Sequence, residues 1–464
     1  MADPIDEILL KIEQASALIN TLNSSLAQAQ LERIMLFRQR NARRDPIMRL
    51  PLEISGKIFV ACNELDYEPL GMLFDDIHFP PTTYSTPSTV RAPLLLVRIC
   101  DAWRRIAQST PALWARLRLE SDTARAHGTA IEMWLNSVRG LNLRLKIESP
   151  SRSYLLPAAL LQQPNRLHTL DLELASGLAL QNLLEVQSWP NLKVLSLKFP
   201  YRTLTPHASE LLVLLQRAPA LLTYHLDYWV LEEPKAPPAV QPPSLHVTHR
   251  ALERLSFMQH AMTDPGSGSS LFKFFACLTL PTLTSLATSF NNMAEVAITA
   301  ELLQRSGVAL RSLMFETSVV SQTAVIKELL PHLDALAHLE FSDSGRGGEP
   351  RFFIELARNP SSFLPKLEHI VVRDFEVPRW NHSTFDSSPA IAVFEARAST
   401  LKSFALLWRG PRQTPEEFLR HQASESAVLL VQRMRPLALA SQTRVHVGVT
   451  DRGGPLLVCG PPEL

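Results

Sequence analysis

The chain has 464 residues, more than one ordinary compact core requires, so its length favours two or three domains or an array of repeats. Its 46 basic and 45 acidic residues nearly cancel, which gives no electrostatic reason to expect a nucleic-acid or membrane-surface partner. The four cysteines are far apart and lack metal-ligand spacing, so we interpret them as reduced thiols. The acidic start and the lack of a long apolar run predict a cytoplasmic or nuclear protein.

Residues 1–44 predict a long helix with coiled-coil character. Apolar residues recur there at heptad spacing in two series: Ile5, Ile12, Ile19 and Leu26, and Ile8, Ala15, Leu22 and Ala29. This pattern continues for about four heptads, until Arg33 interrupts it. It is typical of self-association through the helix, and equally of a helix that lies on its own protein.

Residues 45–120 predict a small helical domain with an inserted loop. Pro51 begins a helix in which apolar residues recur every three or four positions. Pro, Thr, Ser and Asp then dominate residues 66–91, which predicts a loop. Helical periodicity resumes at Leu94 and continues through Cys100, Trp103 and Ile106 toward Trp114.

Residues 121–464 carry an irregular repeat of the form Leu-x-x-Leu-x-Leu. The first apolar residues of the units are Leu167, Leu192, Leu221, Leu252, Leu283, Leu310, Leu336, Leu367 and Leu401. Their spacing of 25 to 34 residues is the length that one strand and one helix need. Such units bury their apolar faces only by stacking, so we predict an α/β solenoid, a horseshoe with parallel strands on its concave face. Residues 411–464, with a helix over 414–434 and a strand over 444–449, are expected to cap it.

Motifs for catalysis are missing from the sequence. It contains no phosphate-binding loop, dinucleotide fingerprint, metalloprotease motif or nucleophile elbow in its required context. We therefore expect a protein without its own active site, without a metal and without a cofactor.

The proline-led helix at Leu50–Ile54, the helix that contains Cys100, Trp103 and Ile106, and the following segment STPALWARL together resemble an F-box. The similarity is to leucine-rich-repeat F-box proteins of the expanded family in mushroom-forming (basidiomycete) fungi, in which a coiled-coil-like helix precedes the F-box and irregular repeats follow it. The resemblance spans nearly the whole chain. Two features depart from the family: the insertion after Leu65, and the lack of the asparagine that usually follows the last leucine of a repeat.

This resemblance implies a substrate-recognition subunit of an SCF-type (Skp–cullin–F-box) E3 ubiquitin ligase. The F-box would bind the Skp adaptor, and through it a cullin, while the solenoid would hold a protein substrate for ubiquitination. The residues that the resemblance assigns to the adaptor surface are Leu50, Pro51, Leu52, Ile54, Ile58, Val97 and Trp103. Apolar residues at helical spacing are more often core, so only an exposed apolar patch on the helix after Leu50 would favour a partner.

Strand alternation predicts which residues face solvent on the concave side and are available to a substrate. The candidates are Asp171, His225, Asp227, Arg254, Glu316, His338, Glu340, His369 and Arg373. Their mixed charges suit a protein or peptide better than a phosphate polymer. The alternative is a non-catalytic leucine-rich-repeat scaffold that pairs with a partner through its N-terminal helix and does not engage a ubiquitin ligase.

Overall fold

The computed structural model of the protein forms two compact units. It describes residues 4–44, 46–65, 93–120, 134–138, 140–148, 158–174, 177–199, 206–230, 246–261, 272–317, 320–343, 350–373, 388–397, 399–408, 432–436, 438–439, 443–449 and 454–459. The first unit comprises Met1–Tyr67, Thr83–Leu117 and Thr129–Leu141, and the second comprises Glu68–Thr82, Arg118–Gly128 and Asn142–Leu464. The predicted inserted loop, residues 66–91, lies outside the described residues.

The first unit is helical, as the periodicity predicts. Its helices are α1 (Pro4–Arg44), α2 (Leu52–Leu65), α3 (Leu94–Ile99) and α4 (Asp101–Gln108), with 3-10 turns at Pro46–Arg49 and Pro111–Trp114. The continuous helix expected from Leu94 to Ile106 is two helices, because Cys100 adopts an extended conformation between them. The Cys100 thiol then accepts a hydrogen bond from the backbone N–H of Trp103 and caps α4 (3.5 Å).

Two tryptophans form the centre of the first unit. Trp114 and Trp134 are both buried and meet edge to face, with ring centroids 5.1 Å apart. The Trp114 indole N–H donates to the carbonyl of Ala107 (2.9 Å), and the Trp134 indole N–H donates to the carbonyl of Trp114 (2.6 Å). Both tryptophans belong to the first unit, which includes Thr83–Leu117 and Thr129–Leu141.

The described residues form one sheet of 13 strands, in the order β1-β2-β3-β4-β5-β7-β9-β10-β11-β12-β13-β14-β15, of which β2 onward belong to the second unit. The strands are β1 (Arg116–Glu120), β2 (Leu143–Glu148), β3 (Leu167–Glu173), β4 (Val194–Phe199), β5 (Thr223–Val230), β6 (Val247–Thr248), β7 (Arg254–Ala261), β8 (Leu278–Thr279), β9 (Ser285–Phe290), β10 (Ser312–Thr317), β11 (His338–Asp343), β12 (His369–Arg373), β13 (Ser403–Trp408), β14 (Arg444–Val449) and β15 (Gly454–Cys459). Strands β2 to β14 run parallel in the main sheet, β15 is antiparallel to β14, and β6 and β8 form a separate parallel pair.

Helices connect most of these strands. They are α5 (Ala158–Leu161), α6 (Gly177–Glu185), α7 (Ala208–Arg217), α8 (Phe272–Ala276), α9 (Met293–Ser306), α10 (Gln322–Leu329), α11 (Pro350–Arg358) and α12 (Ser388–Arg397). All nine strands predicted from the repeated leucine pattern, β3 to β5, β7 and β9 to β13, are confirmed, as are the α/β class and the parallel sheet. The predicted strand at 444–449 is confirmed as β14, but most of the helix predicted over 414–434 lies outside the described residues.

Most of the core of the second unit lies on one face of the sheet, beneath the helices, and Val371 and Ala405 form a small buried apolar cluster on the other face. One row of side chains in register illustrates it: Leu195, Tyr224, Leu255, Leu286, Leu313, Leu339, Ile370 and Phe404, each at most 2% exposed. Tyr224 packs against Phe274 of α8, and Phe404 packs against Phe394 of α12. Because strand side chains alternate between faces, the residues between these positions form the opposite face, which we call the polar face.

Candidate functional site

Local hydrogen bonds fix the start of α2 in the first unit. The Pro51 carbonyl accepts from the backbone N–H groups of Ile54 and Ser55, both at 3.0 Å. Proline suits this position because it needs no hydrogen-bond partner for its nitrogen. The buried Ser55 hydroxyl donates to the carbonyl of Ile47 (3.2 Å), which ties the helix to the 3-10 turn before it.

Three large apolar side chains at this helix start are exposed to solvent. Leu50 is 41% exposed, Leu52 50% and Ile54 42%. They lie within five consecutive positions, whereas single exposed leucines are scattered over most protein surfaces. We call these three residues the α2 apolar patch. A core face would be buried, whereas a surface that binds a partner is exposed in the free protein, as the α2 apolar patch is.

The opposite side of α2 packs into the first unit. Phe59 is 1% exposed, and its ring lies 4.9 Å from that of Trp103 on α4. Gly56 allows close approach, because a Cβ atom there would lie 2.9 Å from the Thr110 hydroxyl oxygen. Helix α2 is therefore held by Ser55, Gly56 and Phe59, and the α2 apolar patch is left out of the packing.

The remaining residues predicted for this surface have mixed positions. Pro51 is exposed, whereas Ile58, Val97 and Trp103 are half-buried. The Trp103 indole N–H has no acceptor among the described residues. Sequence reasoning missed Leu95, which is 40% exposed on α3 beside the buried Leu94 and Leu96, and the helical period alone would have placed it outward.

In the second unit, strand register places all nine predicted substrate residues on the polar face. His338 and His369 stand side by side on neighbouring strands, and Ser403 continues their row. Solvent exposure differs from the prediction: Glu340 is completely buried and His338 is 8% exposed, although both were expected to face solvent. The ion pair of Glu340 with Arg373, and His338 Nε2 at 3.6 Å from the carboxylate, offset part of the cost of this burial.

Glu340 is the centre of a charged cluster formed by β11 and β12. Its carboxylate forms an ion pair with the Arg373 guanidinium and lies 3.6 Å from the His338 Nε2 atom. A buried carboxylate requires such compensation, since its desolvation costs several kcal/mol. The Arg373 side chain is 27% exposed, so the buried Glu340 holds in place a cation that solvent can reach.

His369 extends this cluster toward solvent. Its ring centroid lies 5.9 Å from that of His338, and its Nδ1 atom is 2.7 Å from the Ser403 hydroxyl. Burial lowers the pKa of His369, and electrostatic interaction with His338 lowers it further, although Glu368 acts in the opposite direction. A lowered pKa favours the neutral form of His369, which can donate or accept a hydrogen bond.

Sequence reasoning missed Glu368 and Lys402 at the edge of the cluster. The Lys402 ammonium lies 2.7 Å from the Glu368 carboxylate, and that hydrogen bond lowers the pKa of Glu368. Both residues immediately precede their strands, so alternation within a strand did not include them. A comparison of the residues that immediately precede each predicted strand could have identified them.

The other five candidates lie on strands apart from this cluster. They are Asp171 on β3, His225 and Asp227 on β5, Arg254 on β7 and Glu316 on β10. The His225 Nδ1 atom is 2.7 Å from the Ser256 hydroxyl of the next strand. Acidic and basic side chains both occur on the polar face, which favours a polypeptide over a phosphate polymer.

No protein-family model matches this chain, and no curated protein matches it either. Within the part that the structure describes, no group of three or more His, Cys, Asp or Glu side chains could hold a metal ion. The described helices also include none that combines the length and the apolar character needed to cross a membrane.

Proposed function

We propose that this protein is a non-catalytic substrate receptor of an SCF-type ubiquitin ligase. In this proposal the first unit is an F-box that binds a Skp adaptor, and the second unit is a leucine-rich-repeat solenoid whose polar face holds a protein target. The adaptor bridges to a cullin, and the ligase acts on the target by proximity.

The exposure of the α2 apolar patch carries this proposal. An F-box helix that served only as core would bury Leu52 and Ile54, whereas a docking helix keeps them accessible on a rigid base. Ser55, Gly56 and Phe59 supply that base. Adaptor binding would remove the three side chains from water, at about 25 cal/mol for each Å² buried.

The polar face supports the second half of the proposal. Arg373 is oriented by the buried Glu340, and His369 is held beside Ser403, so two hydrogen-bonding groups have fixed positions. Fixed polar groups on strands favour recognition of a specific peptide, because less side-chain entropy is lost on binding.

A pull-down of the full chain with a Skp adaptor tests the proposal. We expect the wild type to bind and the Leu52→Asp/Ile54→Asp variant to lose binding, because two charges would be buried in an apolar interface. Leu141→Asp is the matched control, since Leu141 is 43% exposed in the same unit but outside α2. Equal binding by wild type and the double variant, or no binding by either, would refute the adaptor assignment.

A second candidate function is a leucine-rich-repeat scaffold that pairs through α1 and does not engage a ligase. The exposure of α1 favours it. Adaptor-independent self-association of the wild type, together with a negative pull-down, would select this alternative.

A further inference from the structure

Helix α1 exposes an apolar seam along most of its length. The seam consists of Ile12, Ala15, Ile19, Leu22, Leu26 and Ala29. Ile19 is 56% exposed, Leu22 59% and Leu26 58%, and every side chain from Leu9 to Phe37 that the structure describes is exposed. No described residue covers the seam, so the interpretation of α1 as a helix lying on its own protein has no support among them.

The length and spacing of the seam suit another helix as the occupant. Helix α1 has 41 residues and so extends about 60 Å at 1.5 Å per residue. Apolar residues at alternating intervals of three and four form the seam of a two-stranded coiled coil. An isolated helix gains little stability in water, whereas packing an apolar face against a partner stabilises it.

The sizes of the seam residues select the orientation of the partner. In an antiparallel pair of two copies, Ile12 faces Ala29 of the second copy, Leu26 faces its Ala15, and Ile19 faces its Leu22. The outer layers then each pair a large residue with an alanine, and the central layers pair Ile19 with Leu22, so no layer consists of two alanines. A parallel pair would place Ala15 opposite Ala15 and Ala29 opposite Ala29, which leaves two underpacked layers.

Charge selects the same orientation. In the antiparallel register Lys11 flanks the seam opposite Glu32 of the second copy, and symmetry repeats the pair. A parallel register would instead bring Lys11 near Ser16 and Glu32 near Phe37, with no charge pairing. The acidic residues of α1 also concentrate toward its start, at Asp6, Glu7 and Glu13, and the last turn is basic.

We propose that α1 pairs with α1 of a second copy as an antiparallel coiled coil centred between Asn20 and Thr21. The protein is then a homodimer that carries two copies of each unit. The dimer does not depend on the α2 apolar patch, so its failure and the failure of adaptor binding are distinguishable.

Sedimentation equilibrium of the full chain tests the dimer. We expect a wild-type dimer, a Leu22→Asp monomer and an unchanged Leu31→Asp dimer. Leu22 and Leu31 are the matched pair, because each is 59% exposed but only Leu22 lies in the seam. A wild type that stays monomeric, or a Leu22→Asp variant that still dimerises, would overturn the proposal.

Cross-linking tests the orientation. Mixed Ile12→Cys and Ala29→Cys chains should form a mixed disulfide on oxidation, located by mass spectrometry, while each variant alone should show only the wild-type background. A disulfide of Ile12→Cys with itself would instead indicate a parallel pair and overturn the antiparallel register.

Charge reversal provides an independent readout of the register. Lys11→Glu should weaken the dimer roughly 5- to 10-fold through its two symmetric pairs, and Lys11→Glu/Glu32→Lys should restore it. No loss in the single variant, or no recovery in the double one, would contradict this register.

Discussion

The guanidinium of Arg397 donates a hydrogen bond to the carbonyl of Leu364 at 2.8 Å. Leu364 has a φ of 56°, and it is the only non-glycine residue in the described part of the chain with a positive φ. Arg397 also donates to the carbonyls of Leu356 (3.2 Å) and Phe363. One buried side chain therefore satisfies the end of α11 and holds the strained turn that follows it.

Removal of Arg397 should destabilise the second unit strongly. We expect Arg397→Met to lower the unfolding free energy by about 3 kcal/mol, because three carbonyls lose a charged donor. The exposed Arg358 is the control, and Arg358→Met should change stability by at most about 0.5 kcal/mol. Urea denaturation measures both, and equal effects would contradict the role of Arg397.

The same device recurs in earlier repeats. Arg217 in the last turn of α7 donates to the carbonyls of Leu184, in the last turn of α6, and Val186, just after that helix. Arg305 in the last turn of α9 donates to the carbonyl of Phe275 in α8 (2.7 Å). Each of the three arginines bonds to the helix end of the preceding repeat, so these hydrogen bonds link neighbouring repeats as well as capping helices.

The repeated leucines could be predicted and these arginines could not, for a physical reason. A buried residue such as Leu313 is selected by hydrophobicity at fixed strand spacing, which is visible in one sequence. From the sequence alone, an arginine near a helix end is expected to be solvated. Whether it is buried depends on where the helix of the preceding repeat ends, which the sequence does not show. Arg397, 1% exposed, has a pKa lowered to about 10 by that burial.

Part of the candidate site could not be predicted from the sequence either. The face of the sheet that carries Glu340 followed from alternation, but its complete burial depends on Arg373 and His338 reaching it from adjacent positions. In the first unit, Leu52 and Ile54 were identified from a resemblance, and only the packing of Phe59 and Gly56 shows which side of α2 remains exposed. Short strands such as β6 and β8 carry too few residues for a periodic signal.

The Glu340–Arg373 pair should show asymmetric mutational costs. Arg373→Met leaves a fully buried carboxylate without its cation and should cost about 3 kcal/mol. Glu340→Gln removes the charge but keeps the shape, and the partly exposed Arg373 can be hydrated, so we expect about 1 kcal/mol.

A double-mutant cycle by urea denaturation checks this pair. The double variant should cost less than the sum of the two single variants. Glu340→Gln has already removed the buried negative charge that Arg373→Met would otherwise leave without its cation. Additive costs, or a larger loss from Glu340→Gln than from Arg373→Met, would contradict the pairing.

His249 should make the stability of the second unit pH-dependent. The buried ring has its Nε2 atom 3.0 Å from the carbonyl of Ala218, and burial lowers its pKa from the usual 6.5. Below about pH 6.5 the unfolded chain binds a proton that the folded protein does not, so the unfolding free energy falls as the pH falls.

His249→Gln should remove this contribution, since its amide can donate to the same carbonyl but does not titrate. The urea midpoint of the variant should therefore shift less between neutral and mildly acidic pH than that of the wild type. Parallel shifts in both proteins would show that His249 is not responsible.

Gly56→Ala should destabilise the first unit by overpacking. The new Cβ would meet the Thr110 hydroxyl oxygen at 2.9 Å, and that oxygen cannot yield freely because it donates to the carbonyl of Ile106 (2.7 Å). We expect a loss of about 1–3 kcal/mol, read from hydrogen exchange of the α4 amides.

Thr110→Ala identifies the steric cause of that loss. It removes the two atoms nearest the new Cβ and leaves the Thr110 Cβ at 3.8 Å, an ordinary contact. Alone it should cost about 1 kcal/mol for the lost hydrogen bond. Combined with Gly56→Ala it should relieve the clash, so the double variant should be more stable than the sum of the single costs predicts. An additive result would show that α2 and the turn before Pro111 do not pack through this contact.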